Sequence, residues 1–212
     1  MEYTEFYFIR HGQTADNLKG ILQGHRDTDL DEVGLRQAEA LAERLRGIEV
    51  DGIFTSDLRR TSQTAAAIGK VLAQEPVPMK ELREWHLGEL EGKCWTELKE
   101  QYPEIVDCFN VEMDDIAVPG GESHEVFENR IFQCLEKLGR EWCGKRIILV
   151  THGGVMRAVF KHIVGPVAAG NILPISSNAS YSNAVRYADG RWRLRCWNDV
   201  AHISNVCDSK VF

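Results

Sequence analysis

The chain has 212 residues, of which 43 % are hydrophobic and 27 % are charged, and its formal net charge at pH 7 is −7. These proportions are typical of folded globular proteins, so they exclude a disordered or fibrous chain. The acidic balance argues against nucleic acid or an anionic membrane as a general partner, because both favour basic surfaces. A small anionic ligand stays compatible with it, since arginines clustered in a cleft can bind phosphate on an acidic protein.

The length and the cysteine pattern predict a single cytoplasmic domain spanning residues 1–212. The first residues include Glu2 and Glu5 and lack the basic and apolar segments of a secretory signal, and no apolar run approaches the roughly 18 residues that span a bilayer. The six cysteines form no CxxC pair, which argues against a zinc site and against a disulfide framework.

In chain order, the first half alternates between predicted strands and helices. The apolar run at 3–9 predicts a buried strand, and Asp31 is a plausible N-cap for a helix over 32–46. A short strand at 53–55 precedes a helix that Ser56 or Asp57 caps and that ends near Leu72. Two prolines then place 77–79 in an edge strand or an extended loop.

The second half continues this alternation and closes with a hairpin. Ser123 predicts the start of a long helix through Trp142, and a second buried strand at 147–150 leads into a helix over 154–164. Asp189 and Gly190 separate strands at 184–187 and 192–197, which is a strong hairpin signal. The stretch at about 93–122 predicts a helical surface insertion, and the residues after about 203 predict a flexible tail.

Together these elements predict an α/β fold. We expect a three-layer sandwich with a mostly parallel central sheet, helices on both of its faces and an antiparallel C-terminal hairpin at one edge.

Both buried strands end in a histidine followed by glycine. The first strand leads into Arg10, His11 and Gly12, and the second leads into Thr151 and His152 before another glycine. The carboxyl ends of parallel strands frame the binding crevice of an open sheet, so we expect both histidines to face one ligand if their strands are neighbours. Glycine lets the backbone turn and approach that ligand closely.

An ordered set of motifs spans nearly the whole chain: "FIRHGQTADN", "LQGHRDTDLDEVGLRQAEAL", "TSDLRRTSQTA", "REWHLGELEG", "PGGES" and "VTHGGVMRAV". This set resembles the histidine phosphatase superfamily, the phosphoglycerate mutase-like phosphatases. "PGGES" before a long helix, in a short chain, resembles the bacterial phosphatase branch, which includes α-ribazole phosphatase and broad-specificity phosphatases.

The resemblance implies a phosphatase in which His11 is the nucleophile and becomes a phosphohistidine. It implies that Arg10, Arg60 and His152 complete the phosphate pocket. Arg60 is preferred to Arg59 because the family pattern S, x, L, x, R matches "SDLRR" at that position. Adjacent helical residues point about 100° apart, so Arg59 is expected to be a solvated charge.

The resemblance also implies that Glu84 donates the proton to the leaving group, in the pattern E, x, x, x, G that ends at Gly88. A carboxyl group that is partly buried or near other anions favours the protonated form that this role needs. Asn17, Gln23 and the backbone of Gly153 match positions at the bound phosphate. Asn17 can instead cap a helix, and Gln23 can shape a turn. Neither a metal ion nor a cofactor is implied.

The other histidines and tryptophans have simpler interpretations. His25, His86, His124 and His162 are expected in surface or capping roles, and His202 in a structural one. A ring that stacks on the substrate is sought among the five tryptophans: Trp85, Trp95, Trp142, Trp192 and Trp197. Trp85, next to Glu84, is the best candidate, although packing in the core or at the rim is the more frequent role.

Three functions stay open at this stage. The stretch "EWHLG" differs from the mutase pattern E, R, x, Y, G, and the region near Asp114 and Asp115 is acidic, so we favour metal-independent hydrolysis of a small phosphomonoester. The alternatives are a cofactor-dependent phosphoglycerate mutase and a regulatory phosphate-binding protein of the same fold. The sequence leaves the substrate and the oligomeric state open.

Overall fold

A computed structural model describes residues 2–103, 118–165, 172 and 174–203 of the chain. The strands in this part of the chain are β1 (Tyr3–Arg10), β2 (Gly52–Thr55), β3 (Val77–Pro78), β4 (Arg146–Thr151), β5 (Tyr181–Tyr187) and β6 (Trp192–Asp199). Its α-helices are α1 (Ala15–Leu18), α2 (Glu32–Arg44), α3 (Arg59–Leu72), α4 (Trp95–Gln101), α5 (His124–Glu141) and α6 (Gly153–Val164).

The strands form one sheet in the order β3-β2-β4-β1-β5-β6. The pairs β2–β3, β2–β4 and β1–β4 are parallel, whereas β1–β5 and β5–β6 are antiparallel. This arrangement confirms the predicted mostly parallel sheet with a C-terminal hairpin at its edge. It also makes β1 and β4 direct neighbours, with Arg10 opposite Thr151 in the register.

Alternating strand residues pack against helices on the two faces of the sheet, as the period of a strand requires. Phe6, Phe8 and Leu149 face α5 and α6, while Ile9 and Ile148 face α2 and α3. All five side chains are almost fully buried. The chain therefore folds as the predicted three-layer sandwich.

Helix starts were predicted correctly at two positions and wrongly at a third. Asp31 accepts a hydrogen bond from Gly34 N at 2.8 Å at the start of α2, and Ser123 accepts one from Val126 N at 3.3 Å at the start of α5.

Helix α3 begins later than predicted, because Leu58 is its N-cap and supplies no capping side chain. Asp57 instead accepts hydrogen bonds from Arg83 Nε and Nη2, both at 2.6 Å. The carboxylate that was expected to cap the helix is thus engaged in an ion pair.

The predicted insertion and tail fall largely outside the described residues. Helix α4 lies within the 93–122 segment, whereas residues 104–117 and 204–212 are not described. The single-domain assignment to 1–212 stays a prediction. None of the helices in the described part of the chain is both long and apolar enough to cross a membrane.

Candidate active site

His11 and His152 meet at the carboxyl edge of the sheet. Their ring centroids lie 5.3 Å apart at an interplanar angle of 63°, and the two residues are 3 % and 0 % exposed. They come together because β1 and β4 are adjacent and parallel, with both strands ending in line. The structure therefore brings together the two strand ends that the sequence predicted to converge.

The imidazole of His11 is held in one orientation by its own neighbour. Its Nδ1 lies 2.7 Å from the carbonyl oxygen of Gly12, so Nδ1–H is the donor and Nε2 keeps a free lone pair. Burial lowers the pKa of His11 well below its usual value, and the charges of Arg60 and Arg10 lower it further. The ring is therefore neutral at physiological pH, which is the state a nucleophile needs.

A side chain at position 12 would collide with the backbone carbonyl of Gly34. Glycine is thus required for the close approach of the His11 turn to α2.

Two arginines flank the histidines, Arg60 fully buried and Arg10 partly buried. Arg60 is 1 % exposed and donates to the carbonyl oxygens of Arg26 at 2.7 Å and Gly24 at 2.8 Å. The Nε groups of Arg60 and Arg10 are buried without a hydrogen-bond partner among the described residues. Burial lowers the pKa of both guanidinium groups, that of Arg60 to about 10, and both stay charged at neutral pH. Buried N–H donors without a partner, such as these two Nε groups, are expected where an anionic ligand completes the site.

The positions of the two side chains agree with the preference for Arg60 over Arg59 as the residue of the phosphate pocket. Arg59 pairs with Asp29 at 2.7 Å, and its side chain is 59 % exposed. Only Arg60 of the two lines the cavity at the carboxyl edge of the sheet.

Glu84 reaches the same cavity from the loop after β3. Its Oε2 accepts a hydrogen bond from Gly154 N at 2.9 Å, and its Oε1 accepts one from Trp85 N at 3.0 Å. A Cβ at Gly154 would collide with this carboxylate, so glycine at the start of α6 makes room for it. The first turn of α6 thereby holds the acidic group in the cavity that His11 also lines.

The three remaining predicted residues also line the cavity: Asn17, Gln23 and Gly153. Asn17 completes a capping box with Thr14, whose backbone N–H donates to Asn17 Oδ1 at 3.2 Å, so the capping alternative holds for it as well. Gln23 closes a turn through its backbone carbonyl oxygen, which accepts a hydrogen bond from Arg26 N at 2.8 Å. Both residues therefore line the cavity and also make hydrogen bonds that stabilise the local backbone.

The cavity has a volume of about 740 Å³ and extends well beyond the histidines. Its lining includes a set of apolar side chains, here called the apolar wall: Ile21, Leu22, Leu87, Trp95, Phe127 and Ile175. Sequence reasoning preferred Trp85 to Trp95 as a ring at the substrate, although both line the cavity, and it missed Arg157, which lines the cavity from α6. Arg157 lies one helical turn after Gly153, so helical spacing from the THG motif is the signal that points to it.

Several of the other aromatic side chains have specific contacts. His25 was expected at the surface or in a cap, but its Nε2 lies 2.8 Å from the carbonyl oxygen of Glu84 and its ring stacks on His86 at 4.6 Å. The structural role predicted for His202 is supported by a contact of Nε2 with the carbonyl oxygen of Ala179 at 2.9 Å.

Trp85 has the packing role that was the more frequent expectation, and its role in stacking on the substrate stays a prediction. Its Nε1 donates to the carbonyl oxygen of Glu122 at 2.9 Å, its ring stacks on Phe127 at 5.8 Å, and it lines the cavity. Its orientation is therefore fixed before any substrate arrives.

Chemically, the inner part of this cavity suits a phosphate group. Arg10 and Arg60 offer charge and directed N–H donors, the neutral imidazole of His11 offers a nucleophilic nitrogen, and the carboxyl group of Glu84 can exchange a proton. His152 is not among the described residues that line the cavity; it lies behind this surface against His11, and both of its ring nitrogens are buried without a hydrogen-bond partner among the described residues. Within the described part of the chain, no group of three or more His, Cys, Asp or Glu side chains is placed to hold a metal ion.

Comparison with known proteins agrees with this geometry. The family model of the histidine phosphatase superfamily (branch 1) matches residues 6–200. A metal-independent phosphoserine phosphatase of Arabidopsis thaliana is 40 % identical over 208 residues, covering 97 % of this chain and 85 % of that protein. The phosphoglycerate mutase-like protein 4 of the same plant is 33 % identical, covering 97 % and 90 % of the two chains.

Among solved structures, a mycobacterial glucosyl-3-phosphoglycerate phosphatase in complex with VO3 superposes with a TM-score of 0.81. It is 32 % identical, and the match covers 92 % of this chain and 98 % of that one. The chain belongs to the histidine phosphatase superfamily, branch 1, and is an enzyme with phosphatase activity.

Proposed function

We propose that this enzyme hydrolyses phosphomonoesters of small metabolites through a phosphohistidine on His11, without a metal ion. The observation that carries the proposal is the Nδ1 contact of His11 with Gly12 O at 2.7 Å, which directs the lone pair to Nε2. The arginines beside it, Arg10 and Arg60, supply the positive charge that phosphoryl transfer otherwise draws from a metal ion.

In the first half-reaction, His11 Nε2 attacks phosphorus and an N–P bond forms while the ester P–O bond breaks. The departing alcohol oxygen takes a proton from the carboxyl group of Glu84. Charge on the three equatorial oxygens is stabilised by Arg10, Arg60 and the ring of His152. Arginine suits this position because its planar fork binds two oxygens at once.

In the second half-reaction, a water molecule replaces the alcohol. Glu84, now a carboxylate, accepts the proton of the water as its oxygen attacks phosphorus. The N–P bond breaks, inorganic phosphate leaves, and His11 is again neutral. The carboxyl group thus acts first as an acid and then as a base.

The apolar side chains in the cavity favour hydrolysis over mutase activity. Leu22, Leu87 and Trp95 contribute to the lining and offer no charge to a carboxylate, whereas a mutase must retain its phosphorylated acid while the phosphoryl group moves. Relatives bear both kinds of name, so phosphate release and 3-phosphoglycerate mutation should be measured side by side. Mutase turnover that exceeds hydrolysis by orders of magnitude would overturn the choice.

The test of the mechanism is a panel of phosphomonoesters with the variant His11→Ala. Phosphoserine belongs in the panel because of the name of the plant relative. We expect the variant to lose turnover and the acid-labile, alkali-stable phosphoenzyme that ³²P-labelled substrate forms in the wild type. Activity of the wild type should persist in excess chelator.

The matched control is His162→Gln, since His162 lies against Glu136 and Phe132, away from the cavity. If the turnover of His11→Ala is undiminished, the assignment of His11 as the nucleophile is wrong. Wild-type protein that binds phosphate but releases none from any ester would favour the regulatory alternative. The cytoplasmic location stays a prediction.

A further inference from the structure

Arg130, on α5, makes five hydrogen bonds, three to the loop that carries Glu84 and two to the carboxylate of Glu122. Its Nη1 donates to the carbonyl oxygens of Glu81 at 2.8 Å and Arg83 at 3.0 Å, and its Nη2 donates to the carbonyl oxygen of Glu84 at 3.2 Å. Its Nε and Nη2 also donate to the two carboxylate oxygens of Glu122 at 3.0 and 2.8 Å. One side chain thus holds three backbone carbonyls in the four residues that end at Glu84.

Glu122 fixes Arg130 and binds the same loop one residue further on. Its Oε2 accepts from His86 N at 3.0 Å, and its own N–H donates to the carbonyl oxygen of His86 at 2.9 Å. Burial opposes its ionisation, but the hydrogen bonds from Arg130 and the His86 amide outweigh it and leave the pKa of Glu122 below its usual value. The carboxylate is therefore present at neutral pH, and its pair with the guanidinium is bidentate.

The "PGGES" segment around Glu122 packs on the Glu84 loop backbone against backbone. A Cβ at Gly121 would collide with the carbonyl oxygen of His86, and a Cβ at Gly88 would collide with that of Pro119. Gly88 also has φ +48°, in the left-handed region. These contacts set the distance between the two segments, so Glu122 and Arg130 act from a fixed position.

Arg130 influences the site from outside it. Glu84 and Trp85 line the cavity, whereas Arg130 is not one of the described residues that line it. His25 Nε2 also contacts the carbonyl oxygen of Glu84, at 2.8 Å. Two side chains thus hold the backbone of the acidic residue, while its carboxylate accepts a hydrogen bond from the first turn of α6.

We propose that Arg130, held by Glu122, is a positioning residue that keeps the Glu84 carboxyl group within reach of the leaving oxygen. The inference rests on the proposed role of Glu84 as the proton donor. Lysine cannot replace the planar fork, because an ammonium group carries three donors around one atom and cannot bind a carboxylate and three carbonyls together.

The test compares kcat/KM for an alkyl phosphate with kcat/KM for p-nitrophenyl phosphate. The nitrophenolate leaves without a proton, so loss of general-acid catalysis slows the alkyl ester selectively, by about 100-fold or more for Glu84→Gln. We expect Arg130→Lys and Glu122→Gln each to slow the alkyl ester by about tenfold, with the aryl ester changed by less than about threefold. Arg140→Met, on the exposed end of the same helix, is the control and should change neither.

The double variant Glu84→Gln/Arg130→Lys separates positioning from general stability. If Arg130 acts through Glu84, adding Arg130→Lys to Glu84→Gln causes no further loss with the alkyl ester. Equal slowing of both esters by Arg130→Lys and Glu122→Gln, or fully additive losses in the double variant, would overturn the proposal.

A different result is expected if Glu84 is not the proton donor. In that case Glu84→Gln slows both esters equally, whatever the effect of Arg130→Lys. Circular dichroism and thermal melting identify a variant that fails to fold. If Arg130→Lys does not fold, the comparison of the two esters is made with Glu122→Gln, which keeps the shape of the side chain.

Discussion

His11 and His152 lie 5.3 Å apart at the ends of two adjacent parallel strands, and both rings are buried beside Arg10 and Arg60. Burial, followed by the nearby charge of Arg60, lowers the pKa of each histidine well below its usual value of 6.5. Below pH 6.5 the unfolded chain therefore binds protons that the folded chain does not. Folding stability contributed by these groups is present above pH 6.5 and falls as the pH is lowered from there.

The first prediction follows from this difference in protonation. The free energy of unfolding of the wild type should fall between pH 6.5 and 5, by up to about 1.4 kcal/mol per pH unit for each such histidine. His152→Gln should show a shallower fall in urea titrations over the same range. An equally steep fall in the variant would contradict the assignment of depressed pKa values to this pair.

The second prediction concerns the guanidinium groups of Arg10 and Arg60, whose Nε atoms have no hydrogen-bond partner among the described residues. Phosphate or vanadate that binds the folded state alone should raise its stability, by about 2.7 kcal/mol at a concentration of 100 times Kd. Arg60→Met should lose most of this stabilisation because it removes a buried cation from the cavity.

Arg59→Met is the matched control, since Arg59 pairs with Asp29 at the surface. It should keep the full shift of Tm with vanadate. A shift that disappears in Arg59→Met and survives in Arg60→Met would show that the wrong arginine was assigned to the pocket.

The parts of the site that follow strands were predictable from the sequence. His11 and His152 follow buried apolar runs, and parallel strands end at the same edge of a sheet, so local pattern was enough to place both. Arg60 and Glu84 were found through the resemblance to the family. The predicted cap of α3 was wrong because Asp57 pairs with Arg83, a residue 26 positions away.

Other residues left no sequence signal, and the reason is physical. Arg130 binds the carbonyl oxygen of Glu84 across 46 positions, and His25 binds the same atom across 59. Every residue has a carbonyl oxygen, so an acceptor of this kind produces no recognisable pattern of residue types. Only the folded structure shows which side chains hold the loop.

The third prediction tests how tightly that loop is packed. Gly88→Ala places a side chain in the left-handed region and against the backbone of Pro119 and Gly120. Gly47 also has a positive φ, but a Cβ there meets no described atom within 4 Å.

Gly47→Ala should therefore cost only the conformational penalty, roughly 1–2 kcal/mol in the free energy of unfolding. Gly88→Ala should cost more and should also lower kcat/KM for alkyl phosphates. If urea unfolding shows equal destabilisation by the two variants, the segment at Pro119 and Gly120 shifts at little cost to make room for the added methyl group.

The last prediction concerns the apolar wall of the cavity. Trp95 stands at the start of α4 and lines the cavity near Ile21 and Leu22. A substrate with a large apolar group should bury that group there, whereas a small alkyl phosphate should not reach it.

Trp95→Ala should therefore raise KM for an aryl phosphate several-fold and leave KM for a small alkyl phosphate nearly unchanged, because the lost aromatic contact is worth about 1 kcal/mol. Lys99→Ala, on an exposed position of the same helix, controls for changes in α4 itself. The kinetics of both substrates should be measured on all three proteins. If Trp95→Ala raises KM for both esters equally, the tryptophan shapes the entrance to the phosphate pocket and takes no part in selecting the leaving group.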